Sequence, residues 1–273
     1  MVGEFELDGI YCGNCAELMA RLPDGCIDLT VTSPPYDNLR TYNGYVFDFE
    51  SVAAQLYRVT KPGGVVVWVV GDATVNGSES GTSFRQALRF MELGFKLHDT
   101  MIYEKTGTSY PDVNRYYQSF EYMFVLSKGD IATFHILRDR KNIYAGTKVH
   151  SVNRRADGSL APKTGIGNII TEYGVRYNVW RIAHNLPGRG DHPASFPEAL
   201  AADHIISWSN PGDIVLDPMA GGGTTLKMAK GLERHYIGFD ISAEYVELAR
   251  RRVKNSSVPL PLFAAVARSV SNA

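Results

Sequence analysis

"VLDPMAGGGTT", Val215 to Thr225, sets a strand, an acidic residue and a glycine cluster ahead of a helix. Glycine lets a backbone approach a ligand closely. In an alternating α/β chain that ligand sits at the carboxyl ends of the strands. The turn is not a phosphate loop, because no Gly-Lys-Ser/Thr follows it. It also departs from the dinucleotide pattern G-x-G-x-x-G, since Leu226 stands where the third glycine belongs. Asp240 ends the next strand, 23 residues after Asp217, where a carboxylate accepts ribose hydroxyls. A tight strand-to-helix connection would need nothing more; a ligand, if bound, is an adenosine without a pyrophosphate, and S-adenosyl-L-methionine is the candidate.

Working outward, "HPASFPEALAADHI" before the turn opens a helix: Ser195 and Glu198 have capping-box spacing, with Pro197 in the first turn. After the turn, "HYIGFD" reads as a strand, and Ser242 caps a helix to about Val253. The N-terminal stretch repeats the alternation. A short strand, Ile10 to Cys12, leads to a helical Asn14–Leu22 and a strand Ile27–Thr32. Val52, Leu56 and Val59 then keep helical spacing, and "KPGG" breaks into "VVVWVVGD", a strand buried on both faces. Phe84, Ala87, Leu88 and Met91 mark the apolar face of a further helix closed by Gly94. Phe95–Glu104 and Ser119–Ser127 are strands close enough in sequence to pair. The alternation predicts an α/β fold with a parallel, doubly wound sheet. Between Arg138 and Gly190 the periodicity weakens, over a length that exceeds a simple connection. One domain is therefore expected from residues 1–129 and 192–273, with 130–191 inserted.

The 273 residues suit one large domain or one domain with an insertion, at about 150 residues per domain. No apolar run approaches the roughly 20 residues of a membrane span, and "MVGEFELDGI" lacks the regions of a signal peptide. A cytoplasmic protein without membrane partners is the expectation. Three cysteines argue against a disulfide framework. Cys12-Gly13-Asn14-Cys15 has metal or redox spacing, but no second ligand pair accompanies it, so no metal is expected. The net charge of −1 hides a segregation: Ile131–Asp191 holds ten basic residues against four acidic, a local +6. That is the footprint of a polyanion site, although a solvated loop would carry the same charge.

The strand Ile27–Thr32 ends abruptly in Ser33-Pro34-Pro35-Tyr36. Neither proline can extend a ladder, so a rigid backbone presents a hydroxyl, carbonyls and an aromatic ring. "TSPPY", "LDPMAGGGTT", "YIGFDIS" and "HPASFPEAL" together resemble the amino-methyltransferases that modify DNA in bacterial restriction–modification systems. "YCGNCAELMARLPDGCIDLT", "KPGGVVVWV", the pair "MIYEK" and "EYMFVLSKG", and "NVWRI" match as well. The tetrapeptide precedes the glycine turn, as in the family's beta group. The resemblance implies a circularly permuted Rossmann-like methyltransferase fold, mostly parallel with an antiparallel hairpin strand, plus an inserted target-recognition region. One departure is Asn14, where members often carry Asp, and it weakens any assignment of that residue to the cofactor's adenine.

Carried onto this chain, the resemblance gives catalysis to Ser33, Pro34, Pro35 and Tyr36. It gives the S-adenosyl-L-methionine pocket to Asp217, Pro218, Met219, Gly221, Gly223, Thr224, Thr225, Asp240, Ile241 and Phe196. An exocyclic amino nitrogen is a poor nucleophile, and acceptors on its hydrogens turn its lone pair toward an electrophile. A base inside a duplex must flip out to meet them. S-P-P-Y and "YDNLRTYNG" are similar to the cytosine-N4 enzymes, whereas the adenine-N6 enzymes usually carry D-P-P-Y. Adenine-N6 methylation, RNA methylation and a non-catalytic DNA-binding regulator are the alternatives. Double-stranded DNA is the implied partner, met by Arg40, Arg138, Arg140, Lys141, Lys148, Arg154 and Arg155. A cognate restriction endonuclease and a homodimer are compatible with the family.

Overall fold

Val65 to Val70 supply the centre of the structure: all six side chains are essentially inaccessible, as a run without alternation demands of a strand covered on both faces. A computed structural model describes residues 1–35, 47–106, 114–150, 152–162, 164–183 and 196–256. Its first part holds β1 (Gly9–Cys12), α1 (Cys15–Ala20), β2 (Ile27–Thr32), α2 (Phe49–Val59) and β3 (Thr60–Val70). The hairpin β4 (Thr74–Val75) and β5 (Ser78–Glu79) follows, then α3 (Thr82–Glu92), β6 (Lys96–Thr106) and β7 (Phe120–Ser127). Among its described residues the middle carries short strands, β8 (Arg140–Lys141), β9 (Val152–Arg154), β10 (Leu160–Pro162) and β11 (Tyr173–Gly174). The last part holds β12 (Val179–Ala183), α4 (Glu198–Trp208), β13 (Ile214–Asp217), α5 (Thr224–Gly231), β14 (His235–Asp240) and α6 (Ala243–Lys254).

Among the described residues, eight strands form one sheet in the order β1-β14-β13-β2-β3-β7-β6-β12. β7 is antiparallel to both of its neighbours, and every other pairing is parallel. Strands from the two ends of the chain alternate across it, because β1 flanks β14 while β13 pairs with β2. Neither end could bury its strands alone. The order reverses between β13 and β2, and such a switch point opens a crevice at the carboxyl ends of the strands.

Among the described residues, contacts divide the chain into two compact units, one of Met1–His135 with 178–256, the other of Ile136–Tyr177. The second is narrower than the inserted 130–191 read from sequence. His135 N–H donates to Ser207 O of α4 at 2.8 Å, and β12 pairs with β6 of the large sheet, so both flanks of that segment belong to the larger unit. Trp180 on β12 stacks on the buried His204 of α4, with ring centroids 4.4 Å apart. Arg181, one of the ten basic residues, pairs there with Glu104. Within the second unit, β8 pairs with β11 and β9 with β10, both antiparallel.

Two local expectations change. In α3, Ser83, Gln86, Ala87 and Phe90 face inward, while Phe84, Leu88 and Met91 are 49%, 60% and 45% exposed. Polar anchors rotate the helix: Trp68 Nε1 donates to Gln86 Oε1 at 2.9 Å, and Ser83 N–H donates to Asp72 Oδ1 at 2.9 Å. Helix α4 starts at Glu198, with Pro197 as its N-cap and no side-chain cap bond. Ser195 lies outside the described residues. Glu198 turns to α5 instead, pairing with Lys227 at 2.6 Å.

Candidate active site

The switch point is closed by one buried contact: Thr32 Oγ1, at the end of β2, donates to Asp217 Oδ1, at the end of β13, over 2.7 Å. Met219 N–H donates to the same oxygen at 3.2 Å, folding the chain back over the strand end. Thr225 Oγ1 donates to Val31 O at 3.0 Å, so the first turn of α5 is fastened to β2 as well. Burial pushes the Asp217 carboxyl up to about 6; the Thr32 and Met219 bonds oppose that rise without cancelling it.

The glycine turn supplies the cradle. Gly221 and Gly223 have φ of 50° and 76°, the left-handed region that favours glycine. Gly223 also packs so tightly under α6 that a Cβ would lie 2.8 Å from Ala249 Cβ. Leu226, where a dinucleotide fold has its third glycine, is accommodated from the other side. A Cβ on Gly238 of β14 would lie 2.3 Å from Leu226 Cδ1, so the glycine that permits close helix–strand packing sits on the strand.

Asp240, half-buried at the end of β14, holds the turn in place: it accepts Gly221 N–H at 2.7 Å and Ser242 N–H at 2.9 Å. Burial raises its carboxyl above the usual range, and those two bonds pull it back. A carboxylate has about four acceptor positions, so both amides leave room for hydroxyls. Asn14 is committed elsewhere, capping α1 by accepting from Ala16 N–H at 2.9 Å. Cys12, Cys15 and Cys26 are free thiols, and burial pushes Cys15 to about 11, far from thiolate formation at neutral pH. Among the described residues no group of three or more His, Cys, Asp or Glu could hold a metal ion.

The residues read from the sequence for the cofactor gather here. Pro218, Thr224 and Thr225 are buried, Met219 and Ile241 are half-buried, and half-buried Phe196 leads into α4. Ser33, Pro34 and Pro35 follow β2 directly, Pro34 buried and its neighbours half-buried. Tyr36 and Arg40 lie outside the described residues. Arg138, Lys141, Lys148, Arg154 and Arg155 belong to the other unit, where all five are exposed. Arg140 is committed to that unit's own structure: its Nε donates to Val175 O at 2.9 Å and its guanidinium lies 4.6 Å from the Tyr177 ring centroid. Thr32 was not singled out from sequence; its only signal is its place between a strand and S-P-P-Y.

A DNA methylase family model matches residues 27–251. The chain belongs to this N6/N4 DNA methylase family. The methylase is 58% identical over 243 residues to the orphan methyltransferase M.BamHII of Bacillus amyloliquefaciens, covering 86% of this chain and 91% of that protein. It is 28% identical over 263 residues to the type II methyltransferase M.BglII of Bacillus subtilis, covering 89% and 68%. Its fold is that of the cytosine-N4-specific PvuII DNA methyltransferase, with a TM-score of 0.67 at 21% identity over 97% of this chain and 92% of that one. The M1.HpyAVI–SAM complex superposes with a TM-score of 0.58 at 23% identity over 89% and 98%.

The methylase thus acts on DNA, with the S-adenosyl-L-methionine of its family as cofactor. The residues present suit that molecule: a glycine backbone that admits close approach, a strand-end carboxylate with open acceptor positions, and a buried acid that a cation would stabilise. No helix among the described residues is long and apolar enough to cross a membrane.

Proposed function

We propose that this enzyme methylates the exocyclic N4 amino group of cytosine in duplex DNA, with the target base flipped out of the stack. The observation that supports the reading is the Thr32–Asp217 bond, which joins the acid of the cofactor turn to the residue directly before Ser33 and Pro34 in the chain. S-adenosyl-L-methionine supplies a methyl group on a sulfonium. The chain's part is to orient the amino nitrogen toward it. Ser33 Oγ and the Pro34 carbonyl accept the amino hydrogens, and Tyr36 stacks on the base to hold it for in-line attack. Asp240 and the turn from Asp217 to Thr225 hold the cofactor. The sequence S-P-P-Y, with a neutral hydroxyl where adenine enzymes usually carry an acid, supports cytosine over adenine.

The basic segment contacts DNA in this reading, through Arg138, Lys141, Lys148, Arg154 and Arg155. The activity belongs where the DNA is, in the cytoplasm, and a partner endonuclease or a second copy is compatible with it. The test is to methylate duplex DNA, digest it to nucleosides and weigh the product. N4-methylcytosine is expected. N6-methyladenine would reassign the base, preference for RNA in a competition would reassign the substrate, and no transfer at all would leave a DNA-binding regulator.

A further inference from the structure

We infer that one face of the β9–β10 hairpin, carrying Val152, Arg154 and Leu160, reads base edges in the major groove of the target duplex. The inference rests on the reading of the chain as an enzyme of duplex DNA. The hairpin is a two-stranded ribbon with Leu160 opposite Arg154, Ala161 opposite Asn153 and Pro162 opposite Val152. Directly opposed residues share a face and successive residues alternate. Val152, Arg154, Leu160 and Pro162 therefore lie on one side, and Asn153 and Ala161 on the other. The first four are all exposed, Val152 by 51% and Leu160 by 63%; on the other side the polar Asn153 is exposed and Ala161 is half-buried, so the exposed apolar side chains lie on the first face.

A ribbon this small gains nothing from holding apolar side chains in water, and an exposed apolar surface marks a partner. Charge identifies the partner as a polyanion. Residues 136–177 carry eight basic against three acidic side chains, a net of +5. Of those acids, Asp139 is bound to Arg176, and Asp157 accepts from Ser159 N–H and Oγ within the hairpin turn. The Arg154 side chain, exposed, makes no hydrogen bond or ion pair with any described residue.

Shape and chemistry then select the groove. A two-stranded ribbon fits a major groove about 12 Å wide, where guanine offers O6 and N7 to an arginine fork and thymine offers a methyl to an apolar side chain. Arg154 between Val152 and Leu160 matches both. Arg155 follows in the turn, where its N–H donates to Ser159 O at 2.8 Å, and alternation sends its side chain to the other side. It is the phosphate contact. The two adjacent arginines thus divide readout from positioning.

The experiment selects bound duplexes from a randomised library with the full-length enzyme, and methylates the same library in parallel. Arg154→Ala and Arg154→Lys should both lose discrimination at a guanine position, by about 5- to 150-fold for a bidentate contact. Because lysine keeps the charge, Arg154→Lys should keep the wild-type salt dependence. Arg155→Ala should weaken all sequences alike and lower the salt slope by about one. Unchanged base preference in both Arg154 variants overturns the inference, as does a wild-type enzyme that selects no sequence. Intact selection without N4-methylcytosine overturns the proposed reaction and leaves the ribbon's role standing. The altered side chains are all exposed, so circular dichroism should match the wild type.

Discussion

Thr32 Oγ1 and Asp217 Oδ1, 185 residues apart in the chain, meet at 2.7 Å and join the two strands on which the proposed chemistry depends. Thr32→Val keeps the shape and removes the donor. The buried carboxylate then loses a partner, which costs about 1–3 kcal/mol. Denaturant unfolding should show that loss, and calorimetry should show weaker cofactor binding at neutral pH. Wild-type stability in the variant would deny the bond its role.

Asp217 also makes a prediction about pH. Its carboxyl is raised from 3.8 to about 6 in the folded protein, so the fold favours the protonated form. The stability it contributes is complete below about 3.8 and is lost as pH rises through about 6. Asp240, also raised by burial, acts in the same direction. Asp217→Asn should flatten this part of the stability profile of the cofactor-free protein. Cofactor binding should run the opposite way in the wild type, strengthening as pH passes about 6, because a cationic ligand favours the ionised carboxylate. Affinity independent of pH across that window would exclude Asp217 from contact with the cofactor's charge.

Gly238 and Leu226 should behave as a coupled pair. Gly238→Ala places a methyl where Leu226 Cδ1 stands, and overpacking of this kind costs about 1–3 kcal/mol. Leu226→Ala alone opens a cavity in a fully buried site, at about 2–5 kcal/mol. The double variant should lose less than the sum of the two. Strict additivity in urea unfolding would mean that the strand glycine does not make room for the leucine.

Asp240→Ala should act on the cofactor twice. It removes acceptors for hydroxyls and releases the amides of Gly221 and Ser242 that hold the turn. Loss of charge-assisted bonds predicts weaker binding by about 1.5–3 kcal/mol. Ser33→Ala should instead lower turnover with cofactor affinity preserved. Calorimetry with single-turnover kinetics separates the two, and wild-type turnover in Ser33→Ala would remove Ser33 from the reaction.

How much of this was legible in the chain itself differs from element to element. β2 and β14 run over Ile27–Thr32 and His235–Asp240 as read, because β-branched and aromatic residues between turn residues leave little choice. The glycine turn and its two acids were legible for the same local reason: a left-handed φ and a strand-end carboxylate follow from short-range chemistry. The orientation of α3 was not. Its hydrophobic spacing pointed to Phe84, Leu88 and Met91, and the inward face was decided by Trp68 needing Gln86 and by Asp72 holding Ser83. β12 was missed because "VWRIA" is short and mostly exposed, and becomes a strand only where the edge of β6 receives it. What the tertiary structure alone decided is the meeting of Thr32 with Asp217. Each belongs to a strand the other cannot specify, and the bond exists because parallel pairing of β13 with β2 brings both strand ends to one edge, away from water, where a carboxylate must find a donor.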